Sequence, residues 1–199
     1  MKIKELFETK NTNIMIVDCQ PGYQHYCDNI MYSLCDFLNN QQGKIIALFN
    51  GYGLTDDSKS DVVEYYMNFG LEPDKIEEIN FIEKEYGFLR SWMDQGVDDH
   101  TILKVIRSLK QHNVNDSRQL DLNSILDENE IDAMNHLWKY SSWDQDPIFL
   151  PDFMTINQLR NISPFYMAGG GRNECLREIE LICNTFNIRF KRIEKFIYG

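Results

Sequence analysis

The sequence predicts an α/β protein of the Rossmann-like, three-layer kind, with about five mostly parallel strands in the order 3-2-1-4-5 and a helical insertion. Three observations predict it. Short apolar runs alternate with helix-spaced segments, which is the signature of a parallel sheet with helices on its faces. The early runs are apolar at successive positions, as strands covered on both sides require. Residues 90–152 break that rhythm and are too long for a simple crossover, so they are read as an insertion within one domain spanning 1–199.

Asn13–Val17 (NIMIV) is the first predicted strand and ends in Asp18. Pro21 and Gly22 break the chain, and Tyr26–Leu38 then carries Ile30, Leu34 and Phe37 at helical spacing. Gly43 precedes the second strand, Lys44–Asn50, which runs into Gly51-Tyr52-Gly53. Ser60–Phe69 reads as a helix capped near Ser60 or Asp61 and stopped by Gly70. Glu77–Ile82 gives the third strand, followed by Glu83 and Lys84. In the insertion, His100–His112 and Glu128–Tyr140 are helical and Trp143–Pro151 is an ordered loop. A short helix over Asp152–Asn161 restores the alternation. Pro164–Ala168 is the fourth strand, Glu174–Phe186 a helix, and Ile188–Tyr198 the fifth strand.

Composition narrows the partners. Hydrophobic residues make up 43% of the 199 residues, enough for a sizeable core rather than a disordered chain. The net charge of −11 opposes phosphate backbones and anionic membranes, so nucleic acid and membrane partners are not expected. Arg189, Lys191, Arg192 and Lys195 alternate with Ile188, Phe190, Ile193 and Phe196, which reads as one solvated strand face before it reads as a basic patch. No apolar run approaches the ~20 residues of a membrane span. The five cysteines have no zinc spacing, and the early start of the first strand leaves no room for a targeting segment; reduced thiols and a cytoplasmic location are the expectation. Cys27, Cys35 and Cys183 lie on apolar helical faces as core filling. The four histidines form no ligand spacing, and scarce alanine beside plentiful Asn and Ile fits a low-GC genome, a viral one included.

In an open doubly wound sheet, ligands bind beyond the carboxyl ends of strands where the strand order reverses. With right-handed crossovers that reversal falls between the first and fourth strands, where Asp18 and the Gly169, Gly170, Gly171, Arg172, Asn173 loop leave the sheet. Asp18 follows a buried strand, so its carboxylate is either part-desolvated at a site or capping a turn to Gln20 or Tyr23. The triple glycine permits close approach of a ligand, and N–H groups at the helix start favour an anion there; a tight turn is the plainer alternative. Cys175 falls in the first helical turn, where the dipole is expected to lower the thiol pKa. Lys84 leaves the third strand at the same edge and needs its full length to arrive.

Three segments carry a resemblance. Ile14–Gln20 (IMIVDCQ), Phe81–Phe88 (FIEKEYGF) and Gly169–Leu176 (GGGRNECL) resemble the Asp, Lys and Cys segments of the isochorismatase-like cysteine hydrolases, a superfamily that includes nicotinamidases. The resemblance implies a triad: Asp18 as general base, Lys84 as the orienting cation and Cys175 as nucleophile on a carbonyl or imine carbon. It further implies oxyanion stabilisation by N–H groups near Gly171 and Cys175, a small-molecule substrate of amide, imine or vinyl-ether type, and no cofactor. The chain departs from that pattern in about sixty extra residues between Lys84 and Cys175, in Gly170-Gly171-Arg172, and in lacking a further strand after Ile188–Tyr198.

Two other classes remain open from the residues. A PIN-like nuclease or phosphohydrolase would hold Mg²⁺ on Asp18, Asp116, Glu174 and Glu178, with Glu174 and Glu178 sharing a helix face and Arg118 beside Asp116; the plainer alternative leaves both glutamates solvated. A non-catalytic module would hold a nucleotide at Gly169–Asn173, or a protein through Trp138, Tyr140, Trp143, Phe149 and Phe153. Association into a homo-oligomer is compatible with either.

Overall fold

The computed structural model describes residues 11–51, 55–84, 88–140 and 147–199. The Gly51-Tyr52-Gly53 turn, the middle of Phe81–Phe88 and the start of Trp143–Pro151 fall partly outside them.

Five parallel strands form one sheet in the order β3-β2-β1-β4-β5: β1 Ile14–Val17, β2 Ile45–Asn50, β3 Ile79–Lys84, β4 Phe165–Gly169 and β5 Phe190–Arg192. The side-chain period of two divides each central strand between two cores. Ile14 and Ile16 of β1, with Ile45, Ala47 and Phe49 of β2, pack on the face covered by helices α1 (Gln24–Asn39) and α2 (Lys59–Asn68). Met15, Val17, Ile46 and Leu48 point to the other face, which α8 (Cys175–Thr185) covers through Leu176, Ile179, Ile182 and Cys183. Cys27, Cys35 and Cys183 are fully buried in these cores.

The insertion contains α4 (Arg90–Asp94), α5 (Asp99–His112) and α6 (Glu128–Tyr140), with α7 (Phe153–Ile162) leading back to β4. Asp98 caps α5 by accepting from the N–H groups of His100 and Thr101. The apolar stripe Ile102, Val105, Ile106 and Leu109 joins the same core as Met15 and Val17, and α5 packs against α8. The insertion therefore thickens one helical layer. Among the described residues no helix is long and apolar enough to cross a membrane.

Four of the boundary shifts have a local reason. Pro73 opens an additional helix, α3 (Pro73–Glu78), so β3 begins at Ile79 instead of Glu77. Ser58 caps α2 in a capping box with Asp61, displacing the cap from Ser60. The last strand is only three residues long and gives way to a 3-10 turn at Glu194–Phe196, because the spacing of Ile193 to Phe196 is that of a turn, not of a strand. Finally, α8 begins at Cys175, which leaves Glu174 as its N-cap residue, off the helix.

At the edge where the strands end, Val17 pairs with Leu48 of β2 and Gly169 of β4, and Asn50 pairs with Lys84 of β3. Gly169 has φ +74, and a Cβ there would stand 2.3 Å from the Val17 carbonyl oxygen and 2.7 Å from the Cys19 sulfur. Gly169→Ala is therefore expected to destabilise the fold by about 3 kcal/mol, read from urea unfolding midpoints. A loss below about 0.5 kcal/mol would mean that the two strand ends are not packed this closely.

Candidate active site

Asp18 is the residue on which the chain turns out of β1. Its backbone is left-handed at φ +50, which an Asp tolerates better than a branched residue, and its carbonyl accepts the Tyr198 hydroxyl at 2.8 Å. The side chain is fully buried. Oδ2 accepts the Lys84 ammonium at 2.7 Å, while Oδ1 is buried with no hydrogen-bond partner of proper geometry among the described residues.

Lys84 is the last residue of β3, on the same sheet face as Ile82, and its side chain passes over β2 to reach Asp18. Glu178 on α8 is the third charge. It is 1% exposed, its Oε2 lies 3.7 Å from the same ammonium, and its Oε1 accepts the backbone N–H of Leu89 at 2.6 Å. Removing one member of such a buried set costs about 3–5 kcal/mol, because the remaining charge is stranded away from water.

Cys175 is half-buried at the first position of α8, where the first N–H groups of a helix lack internal partners. Arg90, the first residue of α4, approaches its sulfur to 3.9 Å through Nη1, and pairs with Glu174 at 3.3 Å and with Asp94 at 2.7 Å. Tyr23 stands nearby and accepts the Asn50 amide at 3.1 Å through its hydroxyl.

Electrostatics corrects one expectation. Burial first, and then the Asp18 charge, push the Cys175 thiol up to about 12; the Lys84 cation opposes them without prevailing. The helix dipole does not make this a standing thiolate. Lys84 shows the opposite balance: burial disfavours its charge, but Asp18 and Glu178 outweigh burial and hold its pKa above the ordinary lysine value. Burial raises the pKa of Glu178 against the pull of Lys84. Burial, followed by the charges of Asp18 and Cys175, pushes the Tyr23 phenol up to about 12.

Asp18, Lys84 and Cys175 are thus brought to one place, and the glycine loop runs beside them. Gly169 and Gly170 (φ +64) are required by the turn itself, so the loop's composition has a backbone cause. Arg172 donates to Glu194 at 2.6 Å, and Asn173 is exposed. The carboxylates of the metal alternative do not gather. Lys84 occupies the space between Asp18 and Glu178, Glu174 is 59% exposed beside Arg90, and Asp116 is engaged by Arg118. Among the described residues no group of three His, Cys, Asp or Glu is placed to hold a metal ion. Nor is Glu178 the solvated helix residue that its charge suggested. Of the aromatic residues proposed to hold a protein, Trp138 packs edge-on against buried Trp92, Phe149 lies under the Arg118 guanidinium, and Trp143 and the side chains of Tyr140 and Phe153 lie outside the described residues.

Glu178 was nonetheless legible as an anomaly, since it sits three residues after Cys175, beside the apolar stripe of α8. Arg90 and the Leu89 amide had no such signal, because only the packing of the insertion brings them here. A separate cleft between the starts of β4 and β5, lined by Tyr166, Asn184, Asn187, Arg189 and Lys191, includes none of these groups. Comparison with family models, with curated proteins and with solved structures finds no match.

Because the resting thiol is protonated, alkylation of Cys175 by iodoacetamide is expected to climb about tenfold per pH unit from pH 7 to 10 without a plateau. Asp18→Asn removes the largest raising charge, and faster labelling at pH 8 should follow in peptide mass spectra. A plateau already reached at pH 7 in the native protein would contradict this electrostatic picture.

Proposed function

We propose that the chain is a cysteine hydrolase of the isochorismatase-like kind, acting on a small amide, imine or vinyl-ether-type substrate. One observation carries this reading: a buried carboxylate with one oxygen held by an ammonium and the other unpartnered, beside a protonated thiol at a helix start.

A thiol held well above neutrality needs a base at the moment of attack, and the unpartnered oxygen of Asp18, whose charge acts on that thiol, is the group that supports this role. For an amide, Asp18 takes the Cys175 proton as the sulfur bonds to the carbonyl carbon. The electron pair of the C=O moves onto oxygen, facing the N–H of Cys175 and the Arg90 guanidinium. The pair returns, the C–N bond breaks, and the nitrogen leaves with the proton from Asp18, so ammonia or an amine departs and a thioester remains. Water attacks the thioester while Asp18 takes its proton, and the sulfur leaves to regain that proton as the carboxylic acid forms. Lys84 holds Asp18 in place and offsets the buried negative charge throughout.

Among the described residues the metal-dependent and non-catalytic readings have no comparable arrangement to support them. With a panel of small primary amides and imines, ammonia release is expected from the native protein. Cys175→Ala and Asp18→Asn should each lower kcat/KM by about 10³-fold or more. Turnover undiminished in Cys175→Ala would overturn the proposal.

A further inference from the structure

Glu178 has a place that packing does not demand. Leu176, Ile179 and Ile182 surround it on α8, and an apolar residue there would continue their stripe. Instead the chain buries a second carboxylate against an ammonium that already has one, in a setting where an uncompensated charge is costly. Its Oε1 accepts the Leu89 N–H where the chain enters the insertion, and its Oε2 faces the Lys84 ammonium at 3.7 Å. Asp18 Oδ1, in contrast, is buried without a hydrogen-bond partner among the described residues.

We propose that Glu178 is a positioning residue: it shares the Lys84 ammonium with Asp18 and ties it to the amide of Leu89, so that the backbone leading into the helical insertion fixes where that cation sits beside Cys175. The groups around the thiol are Asp18 from β1, Lys84 from β3, Glu178 and Glu174 from α8 and its cap, Arg90 from α4, and the hydroxyls of Tyr23 and Tyr198. Among these, Glu178 alone joins the sheet's cation to the backbone that leads into the insertion. Removing its charge takes away one of the influences that hold the thiol proton and leaves Lys84 to Asp18 and Cys175. The consequence for turnover rests on the hydrolase reading; the charge coupling does not.

The test compares native protein, Glu178→Gln and Glu178→Asp. Glutamine keeps an acceptor for the Leu89 N–H and loses the charge; aspartate keeps the charge and withdraws it by one methylene. Iodoacetamide labelling of Cys175 is followed from pH 7 to 10, with amide turnover measured over the same range. In Glu178→Gln labelling at pH 8 is expected to be faster by about twofold, less than in Asp18→Asn, while kcat falls and is partly restored by aspartate. Labelling rates unchanged in a folded Glu178→Gln would overturn the inference and leave the hydrolase reading intact. Faster labelling with no turnover by the native protein on any substrate would sustain the coupling and remove the hydrolase reading. Should Glu178→Gln fail to fold, Glu178→Asp decides: a smaller acceleration in the same direction sustains the inference, and none overturns it.

Discussion

Three charges in an apolar interior organise the carboxyl edge of this sheet. Asp18, Lys84 and Glu178 are each 2% exposed or less, and they come from β1, β3 and α8. None can be left alone, since a charge without partner or water in such a place is costly by several kcal/mol. The elements carrying them are therefore constrained to one arrangement. Lys84 must lie over β2, α8 must present Glu178 inward, and β1 must turn sharply at Asp18 to aim its carboxylate at the cation. The glycine loop follows from the same constraint, because β4 has to pass within van der Waals contact of that turn.

The cluster also explains why Cys175 rests as a thiol. Two carboxylates already share one ammonium, and a thiolate would add a third negative charge to a poorly hydrated space. Arg90 enters the balance from outside the sheet, with Glu174 and Asp94 dividing its charge. The insertion reaches the site through a guanidinium beside the sulfur, and the residue just before it does so through a peptide N–H on Glu178.

The legible features were those with a local or periodic cause. β1 and β2 were readable because strands covered on both faces are apolar at every position, and α8 because Leu176, Ile179, Ile182 and Cys183 repeat at helical spacing. Asp18, Lys84 and Cys175 could be placed together because each leaves an element at the same sheet edge. α3 was overlooked since six residues show no periodicity, and β5 was overextended because Ile193 and Phe196 continue its apolar character while abandoning its period. The pairing of Glu174 with Glu178 failed because the helix starts one residue later, which turns the first outward and leaves the second buried.

What the sequence determined by itself is the layered α/β architecture, its strand order and the sheet edge to which Asp18 and Lys84 belong. Those follow from side-chain period, chain handedness and the positions of turn residues, all of which act over a few neighbours. Only the tertiary structure decided the protonation of Cys175, the burial of Glu178 and the approach of Arg90. Desolvation and Coulomb interaction depend on distances between groups far apart in the chain, such as the 2.7 Å from Lys84 to Asp18, and no local pattern encodes them.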